Sequence, residues 1–479
     1  MLDRLFRLSE NQTTVRTELL AGLTTFLTMA YIIVVQPAVL SGEMLGVTTG
    51  MDFGAVAVAT CIAAALATAV MGLYARLPIA QAPGMGENFF FVLTLLPAAA
   101  AAFRSDIAAG RTTAWQVGLG VIFLSGVLFL ALSLLGVRQR LLEAISPSMQ
   151  SGIAVGIGLF IALIGLRSAT LVLNDPGTAV KLNPDFASPD LIVFFFGLLI
   201  TAGLYARGVR GSIVLGIVAA SLAAVAIKHG LPLLGQRVAG SSVVSGSMLM
   251  TRFEPAAALV AAPPSIEPTF WKFDLARAVR LPMVPFVLIF LFMNLFDTLG
   301  TLIGVGQQAG LVRDGRLLRA RQALVSDAVG TVAGAALGTS TVVSFIESAA
   351  GVEQGGRTGL TALVVAALFL AALALGPLIG MVGSYPPLTA PALVVVGLLM
   401  MRSARNIEWN NFAEAMPSFL IVVGIPLSYS IADGLALGFI SYPIIKFLAG
   451  QGRTVHWHMY AMAAVLIAYF LFVRMQVGG

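Results

Sequence analysis

The chain alternates between long apolar stretches and short polar loops. Each apolar stretch approaches the length that a helix needs to cross about 30 Å of hydrocarbon, although glycine and proline shorten or interrupt several of them. The first seven occupy residues 17–40, 53–76, 78–97, 114–136, 146–167, 190–207 and 211–231. The second seven occupy residues 282–306, 322–338, 339–352, 357–383, 386–402, 413–431 and 433–450. The pattern predicts an all-α polytopic membrane protein with 14 transmembrane helices, and a further apolar run at 456–474 predicts one extra C-terminal helix.

The two sets of spans have the form of an inverted repeat. An odd number of spans in each set turns the second set upside down relative to the first. The stretch at 147–158 (PSMQSGIAVGIG) resembles 386–397 (PPLTAPALVVVG), and SIVLGI from Ser212 resembles GLALGF from Gly434. Both pairs fall at matching places in the two sets, as an internal repeat requires.

These patterns divide the chain into four predicted parts. Residues 1–231 form the first repeat, 282–450 the second, and 451–479 a hydrophobic C-terminal tail helix. Residues 232–281 form an extracytoplasmic linker rich in proline, glycine and serine. The linker closes with EPTFWKFDLARAVR, an amphipathic stretch that predicts an interfacial helix.

Composition and charge fit a membrane protein and exclude several other classes. The chain is 58% hydrophobic and 10% charged, with a mean hydropathy of +0.95, whereas soluble domains carry about 25% charged residues. The net charge is +6, but the basic residues occur singly or in pairs between apolar runs, which does not indicate a nucleic-acid surface. One cysteine and three histidines predict no disulfide framework, no metal site and no cofactor.

Arginines mark the expected orientation in the membrane. Short cytoplasmic loops of membrane proteins are enriched in lysine and arginine. An N-terminus in the cytoplasm places most of the arginines on that side, among them Arg4, Arg7, Arg76, Arg207, Arg210, Arg316, Arg402 and Arg405. We therefore expect a multi-pass protein of the inner (plasma) membrane with a cytoplasmic N-terminus.

Two segments at membrane depth do not read as continuous helices. Residues 338–359 (GTSTVVSFIESAAGVEQGGRTG) combine glycines, hydroxyl residues and β-branched residues, and residues 82–92 (APGMGENFFFV) contain a Gly-Met-Gly break. Broken elements at this depth persist only where protein buries them or where they line a cavity, and in transporters they build the substrate site. We expect the two breaks to meet at such a site.

Two carboxylates in the second repeat are the strongest candidate site residues. Glu347 lies in the broken segment, and Asp297 lies about midway through an apolar span. An ionisable group at this depth costs at least ~2.5 kcal/mol and needs a compensating role. We expect both carboxylates to bind substrate or a proton, and the alternative is a structural hydrogen bond between helices.

Four other polar or aromatic features carry weaker expectations. Asn88 follows the first break and either binds a ligand through its carboxamide or caps the half-helix that starts there. Its neighbour Glu87 is expected to turn away from the site. Asp327 lies within two turns of Arg319 and Arg321, which favours an ion pair at the cytoplasmic end. One phenylalanine is expected to stack on a flat ligand.

Five motifs resemble those of the nucleobase–cation symporter 2 (nucleobase/ascorbate transporter) family, in its AzgA-like branch of adenine/guanine/hypoxanthine permeases. They are TTFLTMAYIIVVQP from Thr24, APGMGEN from Ala82, LFDTLGTLIGV from Leu295, FIESAAGVEQGGRTGLTA from Phe345 and SIADGLALGFISY from Ser430. The resemblance implies two inverted seven-helix repeats, with a core domain from spans 1–4 and 8–11 and a gate domain from spans 5–7 and 12–14. It also implies short strands in broken helices 3 and 10 that meet at the substrate.

The resemblance assigns roles to individual residues. Asp297 takes the carboxylate position of helix 8, Glu347 that of helix 10, and Asn88 the asparagine position of helix 3. Further substrate contacts are expected from Phe89, Ser344 and Ile346. Uracil-type members place a glutamate in helix 8 with a histidine four residues later, whereas this chain has Asp297 and Thr301, which favours a purine. Glu87 stands where related permeases carry an apolar residue, so the choice of purine stays open.

The resulting hypothesis is a transporter that imports purine bases by proton symport with alternating access. Glu347 and Asp297 bind the base, and one of them carries the proton. An anion carrier of the same architecture, a uracil/xanthine-type permease and a channel are the alternatives, and the acids at Glu87, Asp297 and Glu347 disfavour the first. The spans offer no nucleophile–base pair, so we do not expect an enzyme. Sodium as the coupling ion and a homodimer stay open.

Overall fold

The structure is a computed structural model that describes residues 3, 6–135, 146–175, 177–231, 241–313, 316–429 and 431–468. Helices dominate, and the strands are short. In the first half they are α1 (Val15–Met29), α2 (Ile32–Leu40), α3 (Phe53–Val70), β1 (Gln81–Pro83), α4 (Met85–Phe90), α5 (Leu96–Ala102), α6 (Arg104–Ala108), α7 (Ala114–Leu135), α8 (Pro147–Ser168), β2 (Val172–Asp175), β3 (Ala179–Leu182), α9 (Pro189–Ala206) and α10 (Ser212–Gly230).

The remaining elements run from the linker to the C-terminal tail. They are α11 (Ser242–Ser245), α12 (Met248–Thr251), α13 (Leu275–Ala278), α14 (Val284–Gln308), β4 (Val312–Arg313), β5 (Arg316–Leu317), α15 (Ala320–Leu337), β6 (Val342–Ser344), α16 (Ser348–Glu353), α17 (Gly359–Ala372), α18 (Gly376–Gly383), α19 (Ala390–Met401), α20 (Phe412–Ser428), α21 (Ile431–Leu448) and α22 (Trp457–Ala468).

Several helices are long and apolar enough to span a membrane. In the part of the chain that the structure describes, eight helical stretches meet this criterion by length and composition. They are Val15–Leu40, Phe53–Ala75, Met85–Ala102, Ala114–Leu135, Pro147–Ser168, Pro189–Ala206, Ser212–Gly230 and Gly359–Gly383. The prediction of a helical, multi-pass membrane protein is confirmed. The number of 14 spans stays a prediction, because the other predicted spans are not among these eight.

The two broken segments meet as a pair of short strands. β1 and β6 pair antiparallel in the register Gln81↔Ser344, Ala82↔Val343 and Pro83↔Val342. Proline favours extended backbone over helix, and β-branched valines pack well on a pleated surface. Every residue of both strands is buried, and the backbone N–H of Gly84 donates to Thr341 O at 3.0 Å. The predicted strands in the third and tenth segments are confirmed.

Helices from both repeats surround the strand pair. α3, α14 and α15 pack against β6, while α3 and α15 also pack against β1. A second group, α8 with α19, α20 and α21, packs together beside them, and α8 contacts α4. The division into core and gate domains stays a prediction.

Two glycines bring the matching helices of the two repeats into close contact. A Cβ on Gly158 of α8 would lie 2.8 Å from Gly397 O, and one on Gly397 of α19 would lie 2.5 Å from Gly158 O. Only glycine allows backbones to approach this closely. Gly158 and Gly397 end the two similar sequences at 147–158 and 386–397. The internal similarity therefore corresponds to a reciprocal contact between the repeats.

The linker contains much less helix than its amphipathic sequence predicts. Within residues 267–280 only Leu275–Ala278 is α-helical. The backbone N–H of Trp271 donates to Ala336 O at 2.7 Å, and that of Asp274 donates to Gln116 O at 2.8 Å. The prediction of an interfacial helix is corrected, because backbone groups that a helix would pair internally bind the neighbouring spans instead.

An ionic clamp fastens the linker to α6 and the loop after it. The Arg277 guanidinium donates to Asp106 Oδ2 at 2.8 Å and to Asp274 Oδ2 at 2.5 Å, and Arg111 also donates to Asp106. The hydrogen bond from Arg277, followed by that from Arg111, lowers the pKa of the Asp106 carboxyl to about 2. The linker is therefore tied to the helices as a strap, which we define as residues 266–280.

The C-terminal tail begins as predicted with a helix. α22 packs against α21, and the rest of the predicted run, from 469 to 474, lies outside the described residues. Whether this tail spans the membrane stays a prediction.

Candidate functional site

The strand pair brings the two acidic elements of the second repeat together. α14, which carries Asp297, packs against β6, α4 and α16. Glu347 is the N-cap residue of α16. The carboxyl groups of Asp297 and Glu347 interact electrostatically. The structure therefore gathers the two acids beside the strands.

Both acids keep accessible surface. Asp297 is exposed and Glu347 is partly exposed. Ile346, next to Glu347, is 47% exposed and adds apolar surface at the same place. The accessible surface of these three side chains is the candidate place for a small ligand.

Residues of the first span hold Glu347. The Tyr31 hydroxyl donates to Glu347 Oε1 at 2.8 Å, and the Thr28 hydroxyl, which donates to Thr25 O at 2.7 Å, lies 3.4 Å from the backbone oxygen of Glu347. Tyr31 is the N-cap residue of α2, where the first span is interrupted between α1 and α2. It is 2% exposed. The interruption of the first span therefore lies beside the broken segment of the second repeat.

Asn88 belongs to a closed ring of hydrogen bonds. Gln36 Nε2 donates to Ser340 Oγ at 2.9 Å, Ser340 Oγ donates to Asn88 Oδ1, and Asn88 Nδ2 donates to Gln36 Oε1. Gln36 Nε2 also donates to Thr339 Oγ1 at 2.8 Å. All four side chains are fully buried. In this conformation both polar ends of the Asn88 carboxamide bind protein groups.

The alternative role of Asn88 as a helix cap is wrong. α4 has Gly84 at its N-cap without a side-chain cap, and the backbone N–H of Asn88 donates to Gly84 O at 3.1 Å. The Asn88 side chain instead joins α2 to the segment before β6, which lies in the other repeat. Direct contact between Asn88 and a ligand stays a prediction, and it requires the exchange of one bond in the ring.

Glu87 folds back over the start of its own helix. Its side chain is 2% exposed, and a Cβ on Gly84 would lie 2.3 Å from Glu87 Oε2. It interacts electrostatically with Asp297 and with Asp327. The carboxyl is thus buried in the protein rather than turned to water.

Asp327 binds both strands of the pair. Its Oδ1 accepts hydrogen bonds from Gln81 Nε2 and, at 2.9 Å, from Ser344 Oγ. The guanidinium groups of Arg319 and Arg321 donate to backbone carbonyl groups. The predicted ion pair at the cytoplasmic end is therefore wrong, because the fully buried Asp327 carboxylate binds one side chain from each strand. Ser344 is also buried, and its contact with substrate stays a prediction.

Phe89 packs between the first break and α8. Its ring meets that of Phe160 edge to face, with centroids 6.3 Å apart, and Phe160 meets Tyr429 at 5.2 Å. Phe89 is fully buried. Stacking of Phe89 on a flat ligand stays a prediction.

Sequence reasoning missed the polar residues of the first span. Tyr31 and Gln36 both lie in the motif TTFLTMAYIIVVQP, but their partners lie more than 50 residues away. The available signal was a phenol and a carboxamide within an apolar span, because polar groups at membrane depth need partners. Among the residues that the structure describes, no group of three or more histidine, cysteine, aspartate and glutamate side chains is placed to hold a metal.

Solved structures with a similar fold are membrane transporters. The transmembrane domain of a cyanobacterial bicarbonate transporter, BicA, superposes with a TM-score of 0.58 at 15% identity, covering 88% of this chain and 97% of that one. The murine anion transporter Slc26a9 in an inward-facing state gives 0.55 at 14% identity, covering 90% and 68%. At this identity the similarity shows the fold alone, which is the predicted inverted-repeat architecture.

Sequence comparisons identify the family. A model described as a permease family matches residues 16–437. The chain is 43% identical to a putative permease, MJ0326, of Methanocaldococcus jannaschii over 98% of both chains. It is 39% identical to the guanine/hypoxanthine permease PbuO of Bacillus subtilis (98% and 100% covered) and 38% identical to the adenine permease AdeP of Escherichia coli (99% and 96% covered). The chain belongs to the nucleobase/ascorbate transporter family of permeases, as its motifs indicated, and is therefore a multi-pass membrane transporter and not an enzyme.

Proposed function

We propose that this permease imports purine nucleobases (adenine, guanine or hypoxanthine) by proton symport with alternating access. The supporting comparison is the similarity over nearly the whole chain to permeases whose names specify these bases. The observation that carries the proposal is the proximity of Asp297 and Glu347, both with accessible surface, beside the strand pair. We further propose the inner (plasma) membrane as the location, with the N-terminus in the cytoplasm. A homodimer stays a prediction.

The chemistry of a neutral purine suits this pair of acids. The base carries ring and exocyclic N–H donors beside ring-nitrogen acceptors, and an ionised carboxylate accepts such donors strongly. Glu347 and Asp297 are the proposed direct ligands, with Ile346 against the ring. Asn88 is proposed to act through its carboxamide.

Two further buried residues, one aromatic and one with a hydroxyl group, belong to the proposed site. Phe89 is proposed to contact the plane of the base, and Ser344 its polar edge. Both are buried in the described conformation, so they reach a ligand only after the rearrangement that alternating access entails.

The same two acids supply a route for proton coupling. Two carboxyl groups that interact closely titrate as a pair, and one proton relieves their mutual repulsion. We propose that a proton enters with the base from outside and leaves to the cytoplasm. Transfer of one charge down the membrane potential supplies about 2.3 kcal/mol per 100 mV. No cofactor is part of the proposal.

Electrostatics favours a purine over an anion. Asp297 interacts electrostatically with Glu87 and with Glu347, so three acids lie in one region of the molecule. Like charges at a binding site cost several kcal/mol, so this region opposes sulfate or bicarbonate. A uracil/xanthine-type substrate stays the second candidate, because oxopyrimidines and oxopurines share N–H donors.

Uptake of labelled hypoxanthine, adenine and guanine by a transport-deficient bacterial host tests the proposal. Wild type should accumulate at least one of the three bases, and Glu347→Ala and Asp297→Ala should abolish that uptake at equal membrane abundance. Glu353→Gln is a matched control, because Glu353 is an exposed acid on the same helix as Glu347. Unchanged uptake by both alanine variants would contradict the proposed site.

A competition panel separates the remaining alternatives. Unlabelled purines, uracil and xanthine compete against one labelled base at two external pH values, with and without sodium. The proposal predicts that purines compete best, that uptake rises at the lower external pH and that sodium has no effect. Uptake that depends on sodium alone would contradict proton coupling. Competition only by uracil would contradict a purine substrate.

A further inference from the structure

The hydroxyl of Tyr31 interacts with both acids. It donates to Glu347 Oε1 at 2.8 Å and interacts electrostatically with both Glu347 and Asp297. The side chain is 2% exposed, whereas Glu347 is partly exposed and Asp297 is exposed. Tyr31 is therefore a buried donor to an acid that keeps accessible surface.

The backbone around Tyr31 supports this placement. The first span is interrupted at residues 30 and 31, where the N–H groups of Ile33 and Val34 donate to the carbonyls of Ala30 and Tyr31, one residue tighter than in an α-helix. The preceding turn supplies Thr28, whose hydroxyl donates to Thr25 O at 2.7 Å and lies 3.4 Å from the backbone oxygen of Glu347. The first span thus contacts Glu347 at its backbone and binds its side chain through Tyr31.

We propose that Tyr31 is a positioning residue of the purine site, which holds one oxygen of Glu347 so that the carboxylate keeps one orientation. The inference rests on the proposed function and deepens it. A hydrogen bond to a carboxylate is stronger and more directional than one between neutral groups. Each carboxylate oxygen accepts more than one hydrogen bond, so the bond from Tyr31 leaves Glu347 able to accept from a base. Without the hydroxyl, the carboxylate can rotate, and binding a base must pay the cost of ordering it.

A second tyrosine–carboxylate pair provides a matched comparison. The Tyr385 hydroxyl donates to Asp190 Oδ1 at 2.7 Å, and both residues are buried. Asp190 also accepts from the backbone N–H groups of Met248 and Leu249 at 2.9 Å, so this pair ties the linker to α9. Tyr385→Phe and Tyr31→Phe each remove one hydroxyl that donates to a carboxylate. Tyr385, however, lies where no ligand is proposed to bind.

Uptake kinetics of Tyr31→Phe and Tyr385→Phe test the inference in the full-length protein. At equal membrane abundance, Tyr31→Phe should raise the KM for the transported purine about tenfold or more, with a maximal rate within about twofold of wild type. Tyr385→Phe should keep the wild-type KM. A Tyr31→Phe variant with wild-type KM, or with the same kinetic change as Tyr385→Phe, would overturn the inference.

A double-mutant cycle identifies the partner through which Tyr31 acts. Purine binding to purified wild type, Tyr31→Phe, Glu347→Gln and the double variant is measured as the shift in melting temperature at rising hypoxanthine concentration. If Tyr31 acts through Glu347, Tyr31→Phe has little further effect once Glu347 is replaced. Full additivity would overturn the inference. Absence of any purine binding or uptake by wild type would instead overturn the proposed function.

Discussion

The two broken segments share one architecture but differ in accessibility. In each repeat a buried three-residue strand leads into a short helix, and the two strands pair with each other. After β1, Glu87 and Asn88 are 2% and 0% exposed. After β6, Ile346 is 47% exposed and Glu347 is partly exposed. The difference indicates that the first break anchors the repeats to each other, while the second keeps an acid accessible.

Hydrogen-bond partners explain the difference. At the first break, Asn88 is bound by Gln36 and Ser340 in a closed ring, and Gln81 is bound to Asp327. Buried networks of this kind are rigid when every member has a partner and costly when one is missing. At the second break, the hydroxyl of Tyr31 binds one carboxylate oxygen of Glu347, and the hydroxyl of Thr28 contacts its backbone oxygen. The first break is therefore a closed hydrogen-bond network, and the second carries an accessible acid.

Opening the ring at the first break should have the largest effect on stability. Gln36→Leu removes the acceptor of the Asn88 Nδ2 group and the donor to the Ser340 and Thr339 hydroxyls, and each buried polar group left unpaired costs about 1–3 kcal/mol. The free energy of unfolding should fall by about 3 kcal/mol, measured as a lower melting temperature of the purified protein. Gln116→Leu is the control, because the Gln116 side chain accepts from the backbone N–H of Thr113 at the start of α7 and does not join the two repeats. Equal melting temperatures for the two variants would contradict the anchoring role.

A methyl group placed at the second break should disturb transport more than one placed at the first. A Cβ on Gly351 of α16 would lie 2.1 Å from Thr25 Oγ1 and 2.7 Å from Ala21 O, so Gly351→Ala must move α16 and Glu347 with it. Overpacking costs about 1–3 kcal/mol, and we expect uptake to fall several-fold at equal abundance. A Cβ on Gly86 would meet only the Ile157 side chain at 3.0 Å, so Gly86→Ala should cost less. The reverse order of uptake rates would break the comparison.

The smallest effect is expected at the strap, which contacts the segment before the second break. Thr269 Oγ1 donates to Leu337 O at 3.3 Å, at the end of α15, and Arg277 binds Asp106. Asp106→Asn should speed pepsin cleavage of residues 241–283 and change uptake by less than about twofold, because an ion pair near the surface contributes little.

The pH dependence of that cleavage has a defined sign. The hydrogen bonds from Arg277 and then Arg111 lower the pKa of Asp106 from 3.8 to about 2. The clamp therefore contributes fully above pH ~4, and its contribution is lost as the pH falls toward ~2. The cleavage rates of wild type and Asp106→Asn should differ at pH ~5 and converge near pH ~2. A difference that grows as the pH falls would contradict the clamp.

The fold was largely predictable from local sequence. Apolar run lengths and the glycine-rich breaks predict the spans and their interruptions, and the internal similarity ending at Gly158 and Gly397 predicts the repeat. The cost of a charge at membrane depth singles out Asp297 and Glu347 for the same reason. These predictions depend on lengths and on single residues, which one sequence displays directly.

The pairing of polar side chains was not predictable in this way. Tyr31 and Glu347 are separated by 316 positions, and Gln36 and Ser340 by 304. Asp327 was expected to bind arginines close to it in sequence, but the paired strands offer it Gln81 and Ser344. Contacts of this kind depend on how the repeats dock, and periodicity and composition carry no information about docking.

Equilibrium binding of a labelled purine to purified wild type, Glu347→Gln and Glu87→Gln tests the comparison most directly, because it replaces one acid at each break by the same amide. Hypoxanthine, adenine and guanine are titrated in turn. We predict saturable binding of at least one base to wild type, a loss of at least about tenfold in affinity for Glu347→Gln, and a change within about threefold for Glu87→Gln. Wild-type affinity in Glu347→Gln, or an equal loss in both variants, would contradict the account.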